Sequence, residues 1–160
     1  MKKLLNLTAL LLACLTLVLC FAACNDKDKD SKAASTTSLT EDDGSIKKEG
    51  LWENAIYLKD TTIGEGDTTF NVVISIDKQS ITLTVKTNAE TVGAALLENE
   101  VISGEEGAYG LYIKKVNGVT ADYDKDKAYW AFYVDGEYAT SGVDSTKIDS
   151  SVTYKLEYAK

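Results

Sequence analysis

The sequence contains no histidine and no proline, and all 17 of its basic residues are lysine, so arginine is missing as well. Without histidine there is no imidazole to activate a serine or cysteine and none to ligate zinc. Without arginine there is no planar fork to clamp a phosphate or carboxylate bidentately. Cysteine is scarce: Cys14, Cys20 and Cys24 are the only 3, all near the start. Positive charge is also short, with 25 acidic residues giving a net charge of −8. That sign repels phosphate backbones, and no basic patch with interleaved aromatics offsets it, so nucleic-acid binding is excluded. No repeat is visible, which argues against a solenoid.

The N-terminus begins with Met1-Lys2-Lys3, and Leu4 to Phe21 is an apolar run broken only by Asn6, Thr8 and Thr16. Small residues, Ala22 and Ala23, then precede Cys24. This is the layout of a secretory signal peptide over residues 1–23. It resembles the bacterial lipobox, which implies cleavage before Cys24 and a lipid on that thiol. An uncleaved membrane anchor is the other reading, since the run approaches the length of a span. After cleavage no thiol is left for a disulfide or a metal. Loss of Lys2 and Lys3 leaves 15 lysines against 25 acidic residues, a net charge of about −10. Residues 24–50 mix alternating Asp and Lys with small polar residues. They cannot bury enough apolar area to offset the entropy of ordering, so a flexible tether is expected there.

The folded domain is expected over 51–160. Val72, Ile74 and Ile76, then Ile81, Leu83 and Val85, alternate with polar residues around Asp77-Lys78-Gln79-Ser80, which predicts a hairpin with a four-residue turn. Thr87-Asn88-Ala89-Glu90 fits a capping box, and Ala89, Val92, Ala95 and Leu96 share one helical stripe, which predicts one main helix ending near Asn99. A strand from Tyr109 should turn at Asn117-Gly118, with a bulge or strand end at Lys115 and Val116. Trp130, Phe132 and Val134 alternate with Tyr129, Ala131 and Tyr133 before the two-residue turn Asp135-Gly136. Val152, Tyr154, Leu156 and Tyr158 alternate in a last strand. Residues 51–70 should add an edge strand and a glycine-bearing turn. Strands around one helix make an α+β fold of β-grasp-like arrangement, a mixed sheet with the helix on one face.

Little here can carry catalysis. No spacing singles out a pair of carboxylates for acid–base work, and the lysines sit in polar surroundings. The chain is therefore expected not to be an enzyme and to need no cofactor. Asp122, Asp124 and Asp126 alternate as at the start of a calcium loop. Lys127 stands where its glycine should be and Tyr133 where its bidentate glutamate should be, so no metal site is expected. Gly64-Glu65-Gly66 lacks the downstream Gly and Lys of a phosphate loop.

What is abundant is aromatic side chains in one place. Of 9 tyrosines, 2 tryptophans and 3 phenylalanines, eight fall between residues 109 and 138. Strands favour rings for packing alone. The 129–134 strand, however, carries rings on both faces, and exposed rings suit ligand contact. The segments Ala108-Tyr109-Gly110-Leu111-Tyr112-Ile113, Val116-Asn117-Gly118-Val119, Tyr129-Trp130-Ala131-Phe132 and Gly142-Val143 resemble the C-terminal domain of the cobalamin carriers transcobalamin and intrinsic factor. Leu51 to Tyr158 resembles more closely the bacterial transcobalamin-like C-terminal domain of Gram-positive lipoproteins. That resemblance implies a β-grasp fold and a corrinoid ligand. Its contacts would be Tyr109, Leu111, Tyr112, Trp130, Phe132, Tyr133 and Tyr138, in a protein tethered at the outer face of the cytoplasmic membrane that delivers ligand to a transporter. An interaction module recruiting another envelope protein is the alternative. The lipobox reading predicts that Cys24→Ala abolishes incorporation of labelled fatty acid and leaves the precursor uncleaved, which metabolic labelling of membranes would check.

Overall fold

The computed structural model describes residues 44–160. The expected signal peptide, Cys24 and most of the expected tether lie outside those residues. Ile46 already packs against the core, and its N–H donates to the carbonyl of Leu58 at 2.6 Å. Ordered packing therefore starts upstream of Leu51.

After a 3-10 turn at Gly50–Asn54, which buries Trp52, the chain forms β1 (Thr61–Gly64), β2 (Thr68–Ile76) and β3 (Gln79–Thr87). The helix α1 (Val92–Glu98) follows, then β4 (Ile102–Gly107), β5 (Gly110–Val116) and β6 (Val119–Thr120). The helical turn α2 (Tyr123–Asp126) precedes β7 (Tyr129–Val134), β8 (Glu137–Tyr138) and β9 (Thr153–Ala159). Six strands join in the order β1-β3-β2-β9-β7-β8, and β4-β5-β6 make a second, three-stranded sheet. The central strands β2 and β9 run parallel, while β3 and β7 pair antiparallel to them. This is the α+β, β-grasp-like arrangement that the element order predicts.

Register follows from the apolar alternation. Val72, Ile74 and Ile76 lie beside Tyr154, Leu156 and Tyr158, which in turn lie beside Val134, Phe132 and Trp130. A slip of one residue would turn that whole face to water. Each large side chain so exposed would forfeit about 1.5–3 kcal/mol, which far exceeds what a turn can contribute. The rings interlock: Phe70 meets Tyr154 edge-on at 5.6 Å, Phe132 stacks on Tyr154 at 6.1 Å, and Trp130 meets Tyr158 edge-on at 5.5 Å. The helix adds Val92, Ala95 and Leu96, all buried.

The structure departs from the sequence reading in three places. The first hairpin turns on Asp77-Lys78 alone, with Gln79 already paired to Ile76. Asp77 takes the left-handed conformation (φ 55°) that such a tight turn requires. The helix starts at Thr91 rather than Thr87, because Thr87 is held in β3 opposite Thr68 and its hydroxyl accepts from the Ala89 N–H. Thr91 caps instead, accepting from Ala94 N–H at 3.3 Å. Val92 and Gly93 donate to the carbonyls of Thr146 and Val143, so the 142–148 loop satisfies helix groups that a capping box would otherwise serve. Strand β4, mostly exposed and containing two glycines, has no apolar alternation to announce it. β5 ends at Val116, the strand end expected there, and a bulge precedes it at Lys114, where the β4–β5 register shifts opposite Ser103/Gly104. The bulge lets Ile113 and Val116, three positions apart, both face the core.

The Asn117-Gly118 turn is as expected, but its asparagine does more than turn. Asn117 is fully buried and left-handed (φ 50°). Its Oδ1 accepts from Tyr57 N–H and its Nδ2 donates to Tyr57 C=O, both at 2.8 Å. Its own N–H donates to Val101 C=O and its carbonyl accepts from Ile56 N–H. Asn117→Ala should cost about 2–4 kcal/mol, from unsatisfied backbone groups and strain at the turn. Denaturant unfolding of the two proteins measures this, and a loss under about 0.5 kcal/mol would contradict it.

Candidate functional site

β7 pairs with β9 along its whole length, but with β8 only at Tyr133 and Val134. β5 pairs with β4 from Gly110 onward, but with β6 only at Lys115 and Val116. The facing halves of β5 and β7 are therefore not zipped together. A cleft of about 550 Å³ lies between them, closed at one side by residues 139–145.

Six of the seven residues expected from the sequence border this cleft: Tyr109, Leu111, Tyr112, Trp130, Phe132 and Tyr138. They do so in different ways. Trp130 and Phe132 are 7% and 8% exposed, so they are core residues whose edges line the cleft. Tyr109 at the tip of the β4–β5 hairpin is 100% exposed, and Tyr112 is exposed with the Lys114 ammonium 5.3 Å from its ring centre. The cleft does not include Tyr133. Tyr133 lies on the outer face of the large sheet, because its neighbours Trp130-side and Phe132-side in register point inward. Its ring meets Tyr138 edge-on at 5.3 Å and carries the Lys155 ammonium 4.1 Å from its centre. Lys155 in turn pairs with Glu157. Tyr138 thus borders the cleft from a position where its ring is shared with the outer face.

Sequence reasoning did not single out Ile113, Tyr129 or the loop Ala139–Val143 with Ser145 as lining residues. The loop's signal was its small polar run, Thr140-Ser141-Gly142. Nor does the sequence mark Asp144. Its carboxylate is wedged between two glycines: a Cβ at Gly110 would lie 2.6 Å from Oδ2, and one at Gly142 2.5 Å from Oδ1. Oδ1 is buried and has no hydrogen-bond partner. The Trp130 indole Nε1 is likewise buried without a partner.

Within the Asp122-Asp124-Asp126 run, the Asp122 carboxylate serves the backbone. Asp122 Oδ1 accepts from the N–H groups of Asp124 and Lys125, and Oδ2 lies 3.1 Å from Lys125 Nζ. The lysine hydrogen bond holds the Asp122 carboxyl below the usual carboxylate range. The stability it lends α2 is present above that range and fades as pH falls through the lowered value. Among the described residues no three His, Cys, Asp or Glu side chains are grouped to hold a metal.

Fold and cleft together define an α+β domain with an aromatic-edged cleft. Residues 89–158 match a family described as a domain of unknown function, DUF4430. A structure from Ruminococcus gnavus ATCC 29149, described as a candidate metal binding protein, is similar with a TM-score of 0.55 and 25% identity, over 59% of this chain and 98% of that one. Haptocorrin in complex with Cbi aligns with a TM-score of 0.45 and 20% identity, over 61% of this chain and 27% of that one. No curated protein matches.

The wedge at Asp144 yields a prediction. Gly110 (φ 99°) and Gly136 (φ 87°) are both left-handed, but nothing lies within 4 Å of a Cβ at Gly136. Gly136→Ala should cost about 1 kcal/mol from backbone strain alone. Gly110→Ala should cost about 1–2 kcal/mol more, a difference that Asp144→Ala in the same chain removes. Thermal unfolding of the three variants decides it.

Proposed function

We propose that the chain is a non-enzymatic lipoprotein, tethered through Cys24 at the outer face of the cytoplasmic membrane, that holds a small ligand in the β5–β7 cleft for delivery to a membrane transporter. The observation that carries this reading is the convergence of Tyr109, Leu111, Tyr112, Trp130 and Phe132 from separate strands on one cleft. Its volume falls within the range of small-molecule sites, which are mostly apolar with a few placed polar groups. The cleft lining contains no acidic or basic side chain, so it offers shape and surface rather than proton transfer.

The ligand we favour is a corrinoid such as cobalamin, on the strength of the sequence motifs shared with the cobalamin carriers. The residues present fit one face of such a flat macrocycle. Exposed Tyr109 and Tyr112 would lie against the ring, while tyrosine hydroxyls and backbone groups meet its amide arms. The similarity to a candidate metal binding protein supports a ligand that brings its own metal better than a bare ion, given the absence of a side-chain cluster among the described residues.

Titrating the full chain in detergent with cobalamin and cobinamide, followed by calorimetry, tests this. Saturable heat is expected, weakened about tenfold or more by Tyr112→Ala in a protein that still unfolds cooperatively. No heat with either corrinoid would remove the ligand assignment.

A further inference from the structure

The asparagine that ties the β5–β6 turn to the segment before β1 is also, by its neighbour, the chemically most labile asparagine of the chain. Asparagine followed by glycine deamidates most readily, because glycine has no side chain to keep its backbone nitrogen from the preceding side-chain amide. The sequence contains this pair once, at Asn117-Gly118. Asn54, Asn71 and Asn88 are exposed, and none of them precedes a glycine. Asn117 does, and it is fully buried.

The fold leaves little choice at either position. Position 117 takes a left-handed backbone (φ 50°) and offers Tyr57 both an acceptor and a donor at 2.8 Å, which an amide on a short stem supplies. Position 118 is left-handed too (φ 81°), and a Cβ there would lie 2.2 Å from the Asn54 carbonyl oxygen. The architecture thus imposes the labile pair, and the same contacts restrain it. Deamidation needs the Gly118 nitrogen to reach Asn117 Cγ with the amide free to turn. In the folded chain both ends of that amide are held on Tyr57, and the residue has no surface open to water.

We propose that Asn117-Gly118 is a deamidation site that folding closes and opening of the β5–β6 hairpin exposes, and that its conversion is irreversible because the product cannot rebuild the junction with Tyr57. In the opened chain the Gly118 nitrogen bonds to Asn117 Cγ, the Cγ–Nδ2 bond breaks, and ammonia leaves with the proton of the glycine nitrogen. Water then opens the cyclic imide. Cleavage of its Cγ–N bond gives aspartate; cleavage of its bond to the main-chain carbonyl carbon gives isoaspartate, whose backbone runs through Cγ. Water is the one co-reactant.

Either product fails at Tyr57. Aspartate sets a carboxylate oxygen where Nδ2 stood, so two acceptors face each other and a charge is buried without a donor. Isoaspartate lengthens the backbone of a two-residue turn that sets Val116 opposite Val119. With the junction goes the fixed end of β5, whose other end carries Leu111 and Ile113 into the cleft. A molecule that stays open too long is thereby retired as a binder, whichever ligand the cleft takes.

The full chain in detergent is incubated in mildly alkaline buffer, folded in one arm and unfolded by urea in the other, and its peptides are read by mass spectrometry. Deamidation at Asn117 is expected to run about a hundredfold or more slower in the folded arm, following the small population of open molecules. In urea Asn117 should convert ahead of Asn54, Asn71 and Asn88, the internal controls. After dilution from urea, chains that keep the asparagine should recover their near-ultraviolet circular dichroism, and converted chains, separated by charge, should not. Asn117→Asp made directly should unfold at lower urea than the parent. Equal rates in the two arms, conversion of a control asparagine before Asn117, or converted chains and Asn117→Asp that fold as the parent does would each overturn the proposal.

Discussion

The side chain of one buried turn residue ties the small sheet to the segment that leads into the large one. Asn117 sits at the tip of the β5–β6 hairpin, and both ends of its amide are spent on the backbone of Tyr57. Its own N–H reaches Val101, just after the helix. The segment before β1, the exit from α1 and the small sheet therefore meet at one buried group. In a low-dielectric interior such a fully satisfied polar site specifies one arrangement, because any other leaves several polar groups unpaired. Gly118 makes the approach feasible, since a Cβ there would lie 2.2 Å from the Asn54 carbonyl.

Once Asn117 and the Lys114 bulge fix the lower end of β5, its upper end has little choice. β5 must leave the core beside β7, yet the short β6 and β8 do not extend far enough to pair either strand fully. The cleft is thus the remainder of two sheets that nearly merge. Its aromatic edges are partly core residues: Trp130 and Phe132 pack against Tyr158 and Tyr154 from below. Rings anchored in that way are rigid, so ligand contact would order few side chains and lose little entropy.

Strictly alternating segments were legible in the sequence. β2, β3, β7 and β9 announce themselves because one face is apolar throughout, and Asp135-Gly136 and Asn117-Gly118 are turns that need left-handed residues. What depends on a distant partner was not legible. β4 is a strand only because β5 offers it a ladder, and the helix start moved because Thr87 was claimed by the sheet. The aromatic cluster falls where the cleft lies, but period-two reasoning cannot say which side of β7 faces the core. That ambiguity is why Tyr133 was grouped with Trp130, although the register puts them on opposite faces. Asp144 carried no local signal at all, since its environment is made by Gly110, thirty-odd residues earlier in the chain.

β9 lies between β2 and β7, at the centre of the large sheet, although it follows every other strand in the sequence. Until residues 153–159 emerge, β2 and β7 have no common neighbour, and the faces of Phe70, Phe132 and Trp130 lack the tyrosines that cover them. Pairings between segments so far apart in the chain are slow to form. The final strand is therefore the closing piece of the architecture: whatever packs earlier, the aromatic layer of the large sheet cannot close until residues 153–159 insert between β2 and β7.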